Sequence, residues 1–149
     1  GLNRMADIYK KTEILCLNRD NACSIVSSSK EPVVKLMERI HALGPKTIVI
    51  TDGINGSYVY DGNRLIKIPN YPNDYKPLDR TGAGDCFAST FISSIIYGET
   101  IESAAKLASI NSMKVTQKLG PQAGLTNYRD LKNILNDAPK WYHGRVIGE

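Results

Sequence analysis

The spacing of apolar and polar positions divides the chain into short strands and amphipathic helices. Glu13-Ile14-Leu15-Cys16-Leu17 is a compact apolar run that ends at Asn18, and it predicts a buried strand. Pro32 opens a helix whose apolar positions, Val33, Leu36, Met37, Ile40 and Leu43, recur every three or four residues until Gly44-Pro45. His41 falls beside that stripe, at its boundary. Lys46 to Thr51 is a second apolar run rich in β-branched residues. Strand, helix and strand in succession are the unit of a parallel sheet, so the expected fold class is α/β with a mostly parallel sheet. Residues 57–60 and 64–68 alternate across Asp61-Gly62-Asn63 and predict a hairpin.

The remaining segments are mostly helical. Residues 3–11 and 22–29 predict two weaker helices, and residues 69–78, with three prolines, an extended connection. From Gly84 onward, Phe87, Ala88, Phe91, Ile92, Ile95 and Ile96 make a broad apolar face that stops at Gly98. Thr100 is the expected cap of a helix continuing to about Leu119, and Thr126 that of a last helix from Tyr128 to about Asn136. The aromatic tail, Trp141, Tyr142 and His143, is compatible with docking or with mobility.

Composition changes this picture little. A chain of 149 residues with 42% hydrophobic and 23% charged residues is of a length and kind that folds as one domain. The net charge of +4 is dispersed, with no basic cluster interleaved with aromatics, which excludes nucleic acid as the expected partner. No apolar stretch has membrane-spanning length and the N-terminus lacks a signal-peptide core, so the expectation is a cytoplasmic protein. Three scattered cysteines, Cys16, Cys23 and Cys86, with two histidines, argue for buried reduced thiols against a disulfide framework or a zinc site.

The densest chemistry lies in Asp79-Arg80-Thr81-Gly82-Ala83-Gly84-Asp85, directly before a long apolar run. Glycines there let backbone approach a ligand, and a helix start offers unpaired N–H groups and the positive end of its dipole. Such a place attracts phosphate. Asp85 would repel that anion unless it removes a proton; read alone, the string also fits a glycine turn with Asp85 as a helix N-terminal charge. Thr51-Asp52-Gly53-Ile54-Asn55-Gly56 places T-x-G-x-x-G at the end of a strand, although Asn55-Gly56 also suits an ordinary tight turn. Asn18 ends the first strand, where α/β sheets carry ligand loops, and equally suits a residue that closes a strand and opens a turn.

Asp79 to Asp85, continuing into Cys86-Phe87, resembles the second signature of the PfkB-type, ribokinase-like carbohydrate kinases, D-T-T-G-A-G-D-x-F, with Arg80 as the one departure. The Thr51–Gly56 string resembles a second motif of that family. Asn18-Arg19-Asp20-Asn21 stands where it carries N-x-x-E, with Asn21 at the glutamate position. Residues 118–124 resemble its R-x-G-A-x-x-S turn, with Gly124 in place of the serine; a plain helix-ending turn is the equal alternative.

The resemblance implies a ribokinase-like three-layer α/β/α fold and transfer of the terminal phosphoryl group of ATP to a hydroxyl of a sugar or nucleoside, with Mg2+ as cofactor. It implies Asp85 as the general base and an anion hole of Gly82, Ala83 and Gly84. Asn18, Thr51, Gly53 and Gly56 would meet the nucleotide, and Ser109 stands where relatives carry an asparagine near the adenine. Asp79 and Thr81 would hold a monovalent cation such as K+. The likeness runs from about residue 13 to 136 and covers only the family's C-terminal, nucleotide-side half. The chain is therefore expected to be a partial domain, without the N-terminal part that supplies most sugar contacts and a β-sheet lid. The competing expectation is a non-catalytic nucleotide-binding module that needs a partner chain, with an exposed sheet edge favouring pairing or oligomerisation.

Overall fold

The computed structural model describes residues 2–28, 31–72 and 76–147. The expected end of the second helix at Ser29 and the middle of the 69–78 connection lie outside these residues. The chain divides into two compact units, one of Gly1–Gly53, Ser57–Lys67 and Arg145–Glu149, the other of Ile54–Gly56 and Ile68–Gly144.

The first unit carries helices α1 (Leu2–Lys10), α2 (Arg19–Ile25) and α3 (Val33–His41), and strands β1 (Ile14–Asn18), β2 (Thr47–Thr51), β3 (Ser57–Tyr60), β4 (Leu65–Ile68) and β5 (Arg145–Ile147). The strands form one sheet in the order β1-β2-β3-β4-β5. The sheet is mixed: β1 and β2 are parallel, whereas β2–β3 and β4–β5 are antiparallel. This corrects the expected parallel majority. A parallel pair needs a crossover of about a dozen or more residues, which the segment holding α2 and α3 supplies between β1 and β2; β5 lies antiparallel on β4 although α4, α5 and α6 separate the two in sequence. The short turn after Thr51 obliges β3 to run back along β2.

Leu36, Met37 and Ile40 of α3 are fully buried and pack in one cluster with Ile48 and Ile50 of β2. The apolar stripe thus does what its spacing predicts. β1 is only half-buried, not buried as expected, because among the described residues it forms an end of the sheet. Helix α2 starts at Arg19, three residues before the expected Ala22, because the Asn18 side chain caps it by accepting the Asn21 N–H at 2.8 Å.

The second unit holds α4 (Ala83–Ile96), α5 (Ile101–Thr116) and α6 (Tyr128–Asn136). Cys86, Phe87, Phe91 and Ser94 are the buried face of α4, while Ile92 and Ile96 are exposed, so that face is narrower than the run of apolar residues suggests. Helix α5 stops at Thr116, short of Leu119. Asn127, not Thr126, caps α6, accepting the Asp130 N–H at 3.0 Å, while Thr126 donates its own N–H to Asn111. The aromatic tail docks through Tyr142, which is buried, meets Tyr71 edge to face at 5.1 Å and donates its hydroxyl to the Lys106 carbonyl at 2.9 Å.

Of the cysteines, Cys86 is buried but Cys16 and Cys23 are only half-buried, which corrects the expectation for those two. Desolvation pushes the Cys16 thiol up to about 11. No helix among the described residues is long and apolar enough to cross a membrane.

A polar knot closes the second unit. Glu99, between α4 and α5, accepts from Lys132 Nζ at 2.7 Å, from the Ser103 hydroxyl at 2.5 Å and from the Tyr128 hydroxyl. These bonds, Lys132's first, hold its carboxyl at about 2 against an ordinary 4.5. A depressed carboxyl contributes its stability above the unfolded value and loses it as pH falls through the folded one. Glu99→Gln is therefore expected to lower the melting temperature by a few degrees at pH 7. The gap to wild type should narrow between pH 4.5 and pH 2, as thermal denaturation at several pH values would show.

Candidate functional site

In the second unit the loop from Asp79 to Asp85 is fastened from several sides. The N–H groups of Leu78 and Asp79 both donate to the Thr116 carbonyl, at 2.8 and 3.2 Å, so the entry to the loop hangs on the C-terminal end of α5. One oxygen of the Asp79 carboxylate accepts the Thr81 N–H and the other the Gly120 N–H, each at 2.9 Å. These bonds, led by the Thr81 amide, hold the Asp79 carboxyl below the usual carboxylate range. At the far end the Ser112 hydroxyl donates to the Ala83 carbonyl at 3.0 Å and ties the first turn of α4 to α5.

Gly82 is the N-cap of α4, with φ 78°. A Cβ there would stand 2.5 Å from Cβ and 2.9 Å from Cα of Pro121, so both conformation and packing demand glycine. The first helical bond of α4 joins the Cys86 N–H to the Gly82 carbonyl at 2.8 Å. The amides of Gly84 and Asp85 precede it and are the free first-turn donors of the helix. The Ala83 amide is already engaged, reaching the Arg80 carbonyl at 3.3 Å. Apart from its chain neighbours and the backbone of its own helix, no atom of the described residues lies within 4 Å of where a Cβ at Gly84 would stand, which leaves open space before this turn. Asp85 is exposed on the same turn, and its carboxylate has no hydrogen-bond or ion-pair partner among the described residues.

The 118–124 turn meets this loop through Gly120 and Pro121. Gly124 cannot carry a side chain as it stands, since its Cβ would lie 2.3 Å from the Lys114 carbonyl oxygen and 2.6 Å from the Val115 Cα. The missing hydroxyl at this position therefore follows from close packing against α5. Asp79 and Thr81 make a thin donor set for a monovalent cation: each Asp79 oxygen already accepts an amide and Gly124 adds no hydroxyl. Ser109 is buried, and its hydroxyl accepts the Tyr71 N–H at 3.2 Å.

One buried residue of this unit has no role in the sequence reading. The Asn111 side chain donates to the Thr90 hydroxyl and accepts the Thr126 N–H, both at 2.9 Å, linking α4, α5 and the approach to α6. An asparagine on the apolar face of a helix is the signal that could have found it, because a buried amide must be paired.

In the first unit, Asn18 and Thr51 are register partners at the ends of the parallel strands β1 and β2. Thr51 donates its hydroxyl toward the Leu17 carbonyl at 3.4 Å. The residues that follow them are joined: Arg19 Nη1 lies 2.7 Å from Asp52 Oδ2. This pair was not foreseen, although two opposite charges directly after neighbouring parallel strands could have suggested it. Gly53 begins a 3-10 turn, Gly53–Asn55, that leads to Gly56, and both glycines have positive φ, 52° and 90°. Asp20 is exposed in the first turn of α2. Among the described residues no three His, Cys, Asp or Glu side chains are grouped as a metal site.

Comparison with known proteins accords with this geometry. A sugar kinase of Archaeoglobus fulgidus is 29% identical over 125 residues, 84% of this chain and 48% of that protein. A cytidine kinase of Thermococcus kodakarensis is 30% identical over 118 residues, 78% of this chain and 41% of the relative. An Escherichia coli protein described as a ribokinase II, solved with ATP and magnesium, superposes with a TM-score of 0.78 at 19% identity, covering 91% of this chain and 42% of its own. The fold is thus ribokinase-like, and the chain spans about half the length of the relatives it matches. The model of the pfkB family carbohydrate kinases matches residues 2–127, and the chain belongs to that family.

Proposed function

We propose that this chain carries the nucleotide-side half of an ATP-dependent kinase that phosphorylates a hydroxyl of a sugar or nucleoside. The observation that carries the reading is the first turn of α4. It presents a carboxylate, Asp85, and first-turn backbone donors that have no partner among the described residues, on a loop fastened by Asp79, Thr116 and Ser112.

In this reading Asp85 accepts the proton of the attacking hydroxyl as the new oxygen–phosphorus bond forms, and the bond between the transferring phosphorus and the bridging oxygen of ATP breaks to release ADP. The amides of Gly84 and Asp85, with that of Gly82 and the partly engaged Ala83, face the oxygens of the transferring group. There they stabilise charge that spreads during the transfer. Asn18, Thr51, Gly53 and Gly56 are the nucleotide-side positions, with Asn18 already spending one oxygen on its cap. Ser109 keeps to its bond with Tyr71. Magnesium bound to the phosphates supplies charge neutralisation. The Asp79–Thr81 set does not make a cation cage by itself.

A second reading, a nucleotide-binding module completed by a partner chain, is favoured by one observation. Asn21 occupies the glutamate position and offers Asn18 its amide, leaving no carboxylate at that place. Calorimetric titration with ATP and magnesium, followed by a kinase assay across sugars and nucleosides, separates the two: binding with no turnover on any acceptor favours the module.

On the natural polypeptide that carries these residues, Asp85→Asn is expected to lower turnover by about 10²–10⁴-fold with ATP affinity nearly unchanged; equal turnover would rule out the base assignment. The two glycines should behave oppositely. Gly82→Ala forces a left-handed residue into Pro121 and should destabilise the fold by about 1–3 kcal/mol. Gly84→Ala, at a helical position facing open space, should leave urea stability equal or about 0.5–1 kcal/mol higher while weakening ATP binding. Equal effects of both on stability would refute the packing difference, and an unchanged ATP affinity in Gly84→Ala would refute the assignment of the open face to a ligand.

A further inference from the structure

We propose that Arg19 and Asp52 form a positioning pair that fixes the start of α2, directly after β1, against the turn after β2, so that Arg19 sets how tightly the nucleotide is held without acting in the chemical step. The inference rests on the kinase reading above for the identity of the ligand and on the first unit alone for its geometry.

The parallel ladder of β1 and β2 ends with Asn18 opposite Thr51. Arg19 and Asp52 are the next residue of each strand, and their side chains close at 2.7 Å. The ion pair therefore continues the pairing one step past the last backbone rung, at the end of a parallel pair where ligand loops emerge. The Arg19 side chain is 36% exposed and that of Asp52 only 14%. The arginine is thus the outer member, reachable from solvent, and it covers a carboxylate that would otherwise repel phosphate. Its other nitrogen lies 3.5 Å from the Glu31 carbonyl, too far for a strong bond, so Asp52 is the contact that orients it. Glu31 itself is held from the other side, by Arg39 at 2.5 Å.

Two features separate this role from general stabilisation. Arg19 and Asp52 act as a unit, so exchanging the charges should restore what a single change removes. The effect should also fall on nucleotide binding and not on turnover at saturation.

The test compares wild type, Arg19→Gln and the exchanged double variant Arg19→Asp with Asp52→Arg on the natural polypeptide. ATP is the varied substrate, and hydrogen exchange at residues 18–21 and 51–56 is followed in the nucleotide-free protein. Expected are a KM for ATP raised about tenfold in Arg19→Gln with kcat unchanged, faster exchange in both segments, and recovery of KM and exchange in the exchanged variant. An unchanged KM in Arg19→Gln, a fall in kcat with KM constant, or a folded exchanged variant without recovery would overturn the proposal. If wild type neither binds nor turns over ATP, the kinase reading fails instead. The exchange measurement on the free protein then still decides whether the pair fixes the start of α2 and the turn after β2: unaltered exchange in Arg19→Gln overturns it.

Discussion

The two-pronged acceptance of backbone amides by Asp79 is the constraint on which the candidate site depends. A carboxylate has two oxygens at a fixed separation, and here one binds within its own loop, to Thr81, and the other reaches Gly120, forty-one residues along the chain. Bonds to a charged acceptor are stronger and more directional than those between neutral groups. This one also works beside others: Thr116 accepts two amides at the loop's entry and Ser112 fixes its exit. The first turn of α4 consequently inherits its place from the end of α5.

That arrangement divides the work among similar residues. Asp79 and Asp85 are both aspartates of a single short motif, yet the first accepts an amide on each oxygen and the second has no partner among the described residues. Glu99 is a third pattern, an acid drawn far down by a lysine and two hydroxyls for purely architectural ends. An acidic residue's function in this chain follows from what already occupies its oxygens.

The sequence made some of this readable and hid the rest for definite reasons. The Asp79–Asp85 string was legible because glycine and acid at fixed spacing have few other uses, and α3 because its apolar positions keep a helical period. Sheet direction was less legible: the βαβ unit is apparent, but the tight turns after Thr51 and Tyr60 govern β3 and β4. β5 went unnoticed because three residues carry no period, and it is defined only by its register on β4. Thr126 and Asn127 are both good caps side by side, and only the chain path chooses Asn127. Ser109 lies on a helix whose small residues look alike in sequence, and its commitment to Tyr71 comes from a residue thirty-eight positions away.

Gly124 shows how such commitments limit exchange between relatives. The backbone of this turn lies so close to Lys114 and Val115 that even one methyl group has no room. A family serine placed there would not be a reversion to the common type but a new demand on the last turn of α5. The turn and the helix end are a matched set, transferable together. Grafting the turn from a relative into this chain, or the reverse, would carry over a hydroxyl and leave behind the space that it needs.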